Sequence, residues 1–365
     1  MALTGAMSAA ITGLKAHMDA LNVVGNNVAN VNTYGYKAGR VTFRESIYST
    51  QSAGAAGTQA TGGTNPRQIG YGTSVGTIDL DMATSSLEST GYNLDVAIQG
   101  DGFFLVGPKN LDINSMEAVK SLSFSKVGDF RFDADGYLVD GAGNVVYGFM
   151  SAANTGGNPG ITDNPVVSTD LVPIRLPMKW ADTGDAVYVG VDGNTGANVN
   201  PDESAATQDG VDGCVSLENI SIDENGCITG TNKDTGDPVV VGYLALGTVA
   251  NPNGLLHTDG PYYTAAEAAG DARVFAPNSS VIGNLMNGQI KDPNGGGGGG
   301  ANVDPNSALA ANSEVGLMPG FLEASGTDLA TEFSNMIVYQ RGYQANTRII
   351  TVTDSMLEEL VNIKR

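Results

Sequence analysis

Apolar residues repeat with heptad spacing at both ends of this chain, and that repetition constrains the fold more than any other feature. Near the N-terminus the repeat steps by four and three, with a gap at Gly25, through Met7, Ile11, Leu14, Met18, Leu21 and Val28. Near the C-terminus the residues fall seven apart, at Leu329, Met336, Tyr343, Ile350 and Leu357. Such a seam is typical of a helix that packs along another helix. The two helices most simply pair with each other, and the alternative is that each packs separately on the body of the protein.

The charge distribution says more about these helices. Lys15 and Asp19 are the charged residues among the first 36, although a helix on a protein surface normally carries a charged outer face. The N-terminal helix is therefore expected to have neighbours on several sides. At the other end, Thr327 and Asp328 are a predicted helix cap, and Glu332 places negative charge in the first turn, where the helix dipole favours it.

Between its ends the chain has β patterns. The segments "DFRFDADGYLVD" and "NISIDENGCITG" each place alternating apolar residues around a turn, Asp133 to Gly136 in the first and Asp223 to Gly226 in the second. Both predict hairpins. Residues 151–215 are rich in Asn, Asp, Thr, Gly and Pro, as expected for an inserted, loop-rich domain. The run Gly295 to Gly300 predicts a flexible linker or a loop tip.

Composition argues against several functions. The net charge of −21 disfavours binding to nucleic acid or to anionic membranes. No apolar run approaches the ~18 residues of a membrane span. The two histidines and two cysteines do not have the spacing of a metal site, and no nucleotide-binding or hydrolase motif occurs. We therefore predict a protein that is not an enzyme, with no catalytic residues, cofactor-binding site or metal site.

Four separated motifs carry a resemblance to a known family. The asparagine-rich segment "NVVGNNVANVNTYGYKAG" resembles the N-terminal signature of the bacterial flagellar rod and hook proteins, including its turn at Thr33, Gly35, Tyr36 and Lys37. "LDVAIQGDGFFLV" and "SFSKVGDFRFDADGYLVDGAGNVVYGF" resemble the start of the family's β domain, and residues 319–365 resemble its C-terminal helix. The match covers about residues 1–150 and 240–365, with the motifs in the family's order.

The resemblance implies an α+β fold that is mostly β, with the terminal helices paired as a coiled coil and β-rich domains directed outward, one inserted in the other. The expected boundaries are 1–35 with 326–365 for the helical domain, 36–75 with 305–325 for a connecting segment, 76–150 with 216–304 for the first β domain and 151–215 for the inserted domain. Within such a tube the helices contact other copies. The asparagines at 22, 26, 27, 30 and 32 are then expected to bond across close helix contacts or to backbone leaving the helix.

The inserted segment favours the hook proteins of this family over its rod proteins. The implied role is a curved, flexible tube made of many copies of one chain, which couples the motor rod to the filament. Its partners would be other copies, a rod protein at the proximal end, a junction protein at the distal end and a cap during assembly. It would lie outside the cell, exported by the flagellar type III apparatus without a cleaved signal peptide. The alternatives are a distal-rod or junction protein and, from another class, a secreted β-rich adhesin.

The two cysteines, Cys214 and Cys227, leave three alternatives open. They are ranked as free thiols first, an intramolecular disulfide second and a link between subunits third. The third alternative follows from the resemblance, since some hook proteins join such a cysteine to a neighbouring lysine. Lys179 and Lys233 are the nearest candidates in the sequence.

Overall fold

The computed structural model brings both ends of the chain into one unit and forms a second unit from the middle. The first, Met1–Asp81 with Ser325–Arg365, we call the terminal unit, and the second, Met82–Ala324, the body unit. The structure describes residues 2–57, 62–109, 119–152, 166–167, 171–182, 184, 186–187, 211–275, 277, 290–291, 302–303 and 315–363. The predicted linker at Gly295 to Gly300 lies outside these residues.

The terminal unit consists of two long helices and a ribbon of antiparallel strands. Its elements are α1 (Ala2–Ala29), β1 (Gly39–Glu45), β2 (Tyr48–Ser52), β3 (Arg67–Gly70), β4 (Thr73–Leu80) and α2 (Leu329–Ile363). Strand β1 pairs with β4, and β2 pairs with β3, so that the ribbon is one long hairpin. The predicted helix cap is confirmed, because the Asp328 carboxylate accepts bonds from the Ala330 amide at 3.0 Å and the Thr331 hydroxyl at 2.5 Å. These bonds lower the pKa of Asp328, the Thr331 bond most.

The body unit is built from strands and contains the main core. Its strands are β5 (Leu87–Ser89), β6 (Val96–Gln99), β7 (Phe103–Gly107), β8 (Ser123–Ser125), β9 (Arg131–Phe132), β10 (Leu138–Val139), β11 (Val145–Ala152), β12 (Val166–Val167), β13 (Val172–Pro173), β14 (Met178–Trp180), β15 (Ala186–Val187), β16 (Val211–Cys214), β17 (Leu217–Ile222), β18 (Cys227–Asn232), β19 (Pro238–Leu244), β20 (Leu246–Val249), β21 (Leu255–His257), β22 (Tyr262–Ala265), β23 (Ala272–Phe275), β24 (Ile290–Lys291), β25 (Asn302–Val303), β26 (Gly316–Pro319) and β27 (Phe321–Glu323). With α1 and α2, these strands confirm an α+β fold that is mostly β.

One large sheet organises the body unit. Its principal strand order among the described residues is β17-β18-β19-β11-β7-β8-β22-β21. Strand β7 is buried along its whole length, as expected of a central strand with an unbroken apolar run. Its Phe104 ring meets the Phe130 ring edge to face at 5.0 Å between centroids. Both side chains belong to a core that also includes Ile98, Leu244 and Leu246.

Both hairpins predicted from the sequence are confirmed. Strands β9 and β10 pair across the turn from Asp133, and β17 and β18 pair across the turn from Asp223. In each turn the aspartate side chain accepts a backbone N–H two residues later, at 3.0 Å from Asp135 and 2.9 Å from Asn225. Each turn also ends in a glycine with positive φ, which is the backbone conformation that such turns require.

The predicted inserted segment, 151–215, is described only in part, and part of it belongs to the main sheet. Strand β13 pairs with β11 at Tyr147 and Gly148, and Ile174 is fully buried in the main core. Strands β15, β14 and β16 form a separate three-stranded sheet in that order. The sequence did not indicate this return to the main sheet, because the apolar run is only a few residues long and polar segments surround it.

Candidate assembly surface

The two helices of the terminal unit lie side by side and antiparallel. Gly13 faces Asn346, and Gly342 faces His17, while the Asn27 side chain donates to the Glu332 carboxylate at 3.1 Å. Between these facing pairs, the residue number rises along α1 by the same amount as it falls along α2, as expected for two antiparallel helices in register. A Cβ added at Gly342 would lie 2.6 Å from the His17 ring, so this glycine permits the close approach of the two helices.

Small residues form the buried face of α1. The exposed fractions are 2% for Ala10 and Ala16, 0% for Ala20, 3% for Val24 and 1% for Asn27. With Gly13, which is also buried, these positions are three or four residues apart, so they lie along one face of the helix. Their small side chains let α2 approach closely. The spacing of Ala and Gly in the sequence marks this face, whereas the heptads of large apolar residues mark a different one.

The predicted heptad residues of α1 lie mainly on another face. Ile11 and Met18 are exposed, at 39% and 46%, while Met7, Leu14, Leu21 and Val28 are half-buried. The contact between α1 and α2 within one chain therefore uses the small-residue face and leaves part of the bulky seam uncovered. The role of this seam in assembly stays a prediction.

Helix α2 also has large apolar side chains outside its contact with α1, and more of them are exposed than on α1. Its predicted seam residues Met336, Tyr343 and Ile350 are half-buried, whereas Leu329 and Leu357 are each 38% exposed. Beyond the seam, large apolar side chains with exposed fractions from 45% to 81% are Phe333, Ile337, Val338, Ile349, Val352, Met356, Leu360, Val361 and Ile363. Among the described residues of α2, Thr353 alone is buried. So much uncovered apolar area on one helix is the mark of an interaction surface.

The signature turn is held by one asparagine. Asn27 donates from Nδ2 to the Gly39 carbonyl at 2.8 Å, and its Oδ1 accepts from the Gly39 amide and the Tyr36 hydroxyl, both at 3.0 Å. The same Nδ2 bonds to Glu332 on α2. Asn27 therefore bonds both to backbone beyond the end of α1 and across the helix contact, as expected from the sequence.

The four predicted turn residues differ in their conformation, burial and hydrogen bonds. Gly35 is buried and has φ 67°, so a residue with a side chain would be strained there. The Tyr36 carbonyl accepts a bond from the Gly326 amide at 2.9 Å, and burial raises the pKa of the Tyr36 hydroxyl. Lys37 is 1% exposed, while the Thr33 hydroxyl donates to Asn30 at 3.2 Å. The signature thus fixes the exit of the chain from α1.

An aromatic cluster joins the helices to the ribbon. The ring centroids of His17 and Phe43 are 5.6 Å apart, those of Phe43 and Tyr339 5.8 Å, and those of His17 and Tyr339 6.2 Å. One residue comes from α1, one from β1 and one from α2. Side chains from three elements therefore fix the arrangement of the terminal unit.

The cysteines lie in the body unit, and both are free thiols. Cys214 is half-buried, with Sγ 3.9 Å from the Met178 sulfur. Cys227 is 7% exposed, and burial raises the pKa of its thiol to about 11. The candidate lysines make ion pairs within the chain, Lys179 with Asp234 and Lys233 with Glu218, each at 3.5 Å. A link between subunits remains a prediction.

The described residues contain no cluster of His, Cys, Asp and Glu that could hold a metal ion. Among those same residues, neither helix has the length and hydropathy needed to cross a membrane.

Comparison with known proteins agrees with this geometry at both ends of the chain. Residues 7–37 match the family described as flagella basal body rod protein, and residues 318–363 match the C-terminal domain of the flagellar basal body rod FlgEFG proteins. The first range covers most of α1 and the signature turn, and the second covers all of α2.

Similar proteins align with nearly the whole chain. The flagellar basal-body rod protein FlgG of Bacillus subtilis is 32% identical, with 97% of each chain covered. The flagellar hook protein FlgE of Borreliella burgdorferi is 27% identical, over 97% of this chain and 98% of the hook protein. That of Salmonella typhimurium is also 27% identical, over 98% and 99%. With this similarity and the two family matches at its terminal helices, the chain belongs to the flagellar rod and hook protein family.

Proposed function

We propose that this chain is a structural subunit of the flagellar hook, which assembles with copies of itself into a hollow, curved tube between rod and filament. The observation that carries the proposal is the uncovered apolar surface of α1 and α2, from Ile11 and Met18 to Ile363 at 81% exposure. A chain that covers these side chains only in a polymer gains the hydrophobic free energy on assembly rather than on folding. The function is therefore mechanical rather than enzymatic.

Two observations support a hook subunit within the family. Proteins named as hook proteins in Borreliella burgdorferi and Salmonella typhimurium match this chain from end to end. The segment between β11 and β17 also contributes its own small sheet, β15-β14-β16, in the place where the sequence indicated an insertion. We propose that this part of the body unit contributes to the outer surface of the tube and that the terminal helices line its inside.

The neighbours and the location follow from the same proposal. The partners are other copies of the chain along the hook, a rod protein at its proximal end, a junction protein at its distal end and a cap during growth. The subunit would reach the cell exterior through the flagellar export apparatus.

A rod subunit is the second candidate, and the comparisons favour it in one respect. The rod protein of Bacillus subtilis has the higher identity, 32% against 27%. The alignments to the hook proteins also extend over 478 and 430 positions, more than the 365 residues of this chain. These hook proteins therefore contain segments without a counterpart here.

Negative-stain electron microscopy of the polymer separates these candidates. The purified chain is concentrated in a precipitating salt that strengthens apolar contacts, and the products are measured for curvature. Curved tubes of constant diameter are expected for a hook subunit. Straight, stiff tubes would transfer the assignment to the rod, and the absence of any ordered polymer would overturn both candidates.

A further inference from the structure

The net negative charge of the chain lies entirely in the body unit. Of the 18 basic and 39 acidic residues, nine basic and nine acidic residues lie in the terminal unit, Met1–Asp81 with Ser325–Arg365. Nine basic and 30 acidic residues are left in the body unit, Met82–Ala324, which therefore carries the whole formal charge of −21. The unit that exposes large apolar side chains is thus neutral overall, and the unit with the main core is strongly acidic.

Carboxylates of the body unit are spread over its surface. Asp101, Glu224, Asp259 and Asp271 are all exposed. They lie between β6 and β7, between β17 and β18, between β21 and β22, and directly before β23. The charge is therefore dispersed among separate turns, in keeping with the finding that the described residues hold no cluster able to bind a metal ion.

Most cations of the body unit are engaged within the chain. Lys109 Nζ lies 3.0 Å from the Asp133 carboxylate and 2.8 Å from that of Asp135. Lys126 is 2% exposed and donates to the Gly100 carbonyl at 3.2 Å. Partners in the same chain are also bonded by Arg131, Arg175, Lys179 and Lys233. At least six of the nine cations are thus less available to carboxylates of a neighbouring copy.

A polymer of identical chains brings these acidic units near one another. Units with the same net charge repel, and a net charge far from zero opposes association. Salt sets the range of the repulsion, since the Debye length is about 30 Å at 10 mM and about 3 Å at 1 M ionic strength. The terminal unit, with no net charge, adds no comparable repulsion. Growth of the polymer is therefore opposed by the body unit alone.

We propose that like charge holds the body units of neighbouring copies apart, and that mobile cations of the surrounding solution must screen this charge before the copies assemble. The proposal rests on the proposed function and concerns what limits growth of the polymer. The cations form a diffuse atmosphere, because the carboxylates are dispersed. Body units that repel do not lock together, so they can shift past one another as the tube bends.

The first test measures how polymerisation depends on salt. Polymer of the full chain, grown in the precipitating salt, is transferred to about 10 mM or about 1 M NaCl, and the chain left in solution is measured by sedimentation. One pair of like charges 10 Å apart in water changes an equilibrium constant about twofold, and several pairs act together. We expect the critical concentration to be at least about fourfold higher in the low salt.

Removal of charge separates screening from the effect of salt on apolar contacts. The amide variant combines Asp101→Asn, Glu224→Gln, Asp259→Asn and Asp271→Asn. In low salt its critical concentration should be at least about twofold below that of wild type, because a long Debye length lets each charge act wherever it lies on the unit. In about 1 M NaCl the two chains should be equal, since the charges are then screened.

A matched control keeps the charge at the same four positions. This control combines Asp101→Glu, Glu224→Asp, Asp259→Glu and Asp271→Glu, and it should follow wild type at both salt concentrations. Circular dichroism and calorimetry confirm that both variants keep the helices and the body-unit core of wild type.

The kind of cation distinguishes a diffuse atmosphere from a bound metal ion. MgCl2 and NaCl at equal ionic strength should give critical concentrations within about twofold of each other, because the Debye length depends on ionic strength. A critical concentration about tenfold lower in MgCl2, lost in the amide variant, would show a bound ion and overturn the diffuse screening.

Failure of this inference differs from failure of the proposed function. A chain that polymerises with the same critical concentration at both salt concentrations would overturn the inference alone. So would an amide variant equal to wild type in low salt, or a charge-keeping control that behaves like the amide variant. If the wild-type chain forms no polymer even in the precipitating salt, the proposed function itself fails and the inference fails with it.

Discussion

The body unit and the terminal unit both carry apolar patterns, but they bury them to very different extents. In the body unit, side chains such as Phe104, Leu105 and Tyr147 are completely buried. In the described part of the terminal unit, the buried apolar residues are Ala10, Ala16, Ala20 and Val24. Among the described residues of the whole chain, the exposed large apolar side chains lie in the terminal unit, with the exceptions of Tyr92 and Leu256.

This difference indicates that the two units obtain their stability from different contacts, the body unit from contacts within one chain and the terminal unit in part from contacts between chains. The body unit buries enough apolar surface to be stable within one chain. The terminal unit has the longer helices, yet helices obtain most of their stability from packing rather than from propensity. Its missing contacts must come from other molecules if its apolar residues are to be covered. The predictions below test this contrast.

Removal of residues 329–365 should have the largest effect. The deletion takes away α2 and exposes the small-residue face of α1, so polymerisation should be lost completely. The body unit should still unfold cooperatively on heating, because its core lies within Met82–Ala324. Calorimetry and electron microscopy of the truncated chain measure both effects. Tubes formed by this chain would refute the role of the helices in assembly.

Replacement of the inserted segment should show how much its strand β13, which pairs in the main sheet, contributes to the stability of the body unit. Replacing 151–215 by a short Gly-Ser linker removes Val172 and Ile174, which are 2% and 0% exposed. The free energy of unfolding of the body unit should fall by at least ~2–5 kcal/mol, the usual cost of truncating one such side chain. A linker replacing only 186–213 keeps Val172 and Ile174 and is the control, so its effect on stability should be smaller. Equal effects of the two replacements, measured by denaturant unfolding, would contradict a contribution from β13.

Single truncations in the two units should act on different equilibria. Phe104→Ala should lower the free energy of unfolding of the body unit by about 3–5 kcal/mol, because it opens a cavity in a packed core. Ile349→Ala, at 45% exposure, should change the stability of the free chain by no more than about 0.5 kcal/mol yet raise the critical concentration for polymerisation. Denaturant unfolding and a sedimentation assay measure the two effects. A large loss of monomer stability from Ile349→Ala would show that the terminal unit is complete on its own.

The fold was predictable from sequence where local chemistry is sufficient. The Asp133 and Asp223 turns follow from a carboxylate and a glycine at fixed offsets, and the Asp328 cap follows from its place before an apolar run. Both terminal helices were also indicated by their heptads. The family signature marked the turn after α1, although Asn27, which holds that turn, was not singled out among the asparagines.

Other features depend on long-range packing that a sequence pattern does not reveal. The heptads identified the bulky face of α1, while the contact within the chain uses the alanine and glycine face. A large apolar side chain is equally compatible with an intramolecular and an intermolecular contact, so spacing alone could not distinguish them. Ile174 joins the main core from within a polar region, a placement decided by the pairing of β13 with β11.

Two glycine substitutions test how closely α1 and α2 must approach. Gly342→Ala places a methyl group 2.6 Å from the His17 ring, whereas a Cβ at Gly25 meets no atom within 4 Å. Both changes gain about 1 kcal/mol of helix propensity, but only the first overpacks the contact, at a cost of about 1–3 kcal/mol. The melting temperature of the helical signal should therefore be lower in Gly342→Ala than in Gly25→Ala. Equal melting temperatures would show that the helices separate readily.

The smallest expected effect concerns thiol reactivity, which reports how well the body unit excludes solvent. Cys227 is 7% exposed, and burial raises the pKa of its thiol to about 11, above the usual value of about 8.5. Because the thiolate is the reactive form, its alkylation in the native chain at pH 8 should be slow. The rate should rise about tenfold per pH unit until the pH approaches that pKa. Cys214, which is half-buried, should react first.

Mass spectrometry after timed treatment with iodoacetamide counts the modified thiols. One adduct per native chain is expected at early times, and two after denaturation. The Cys214→Ser variant should lose the early adduct, and Cys227→Ser should keep it. Equal rates for both thiols in the native wild-type chain would mean that the core around Cys227 opens readily, and the contrast between a closed body unit and an open terminal unit would then be weaker than the structure indicates. A covalent link between subunits, if one forms, should use the more accessible Cys214.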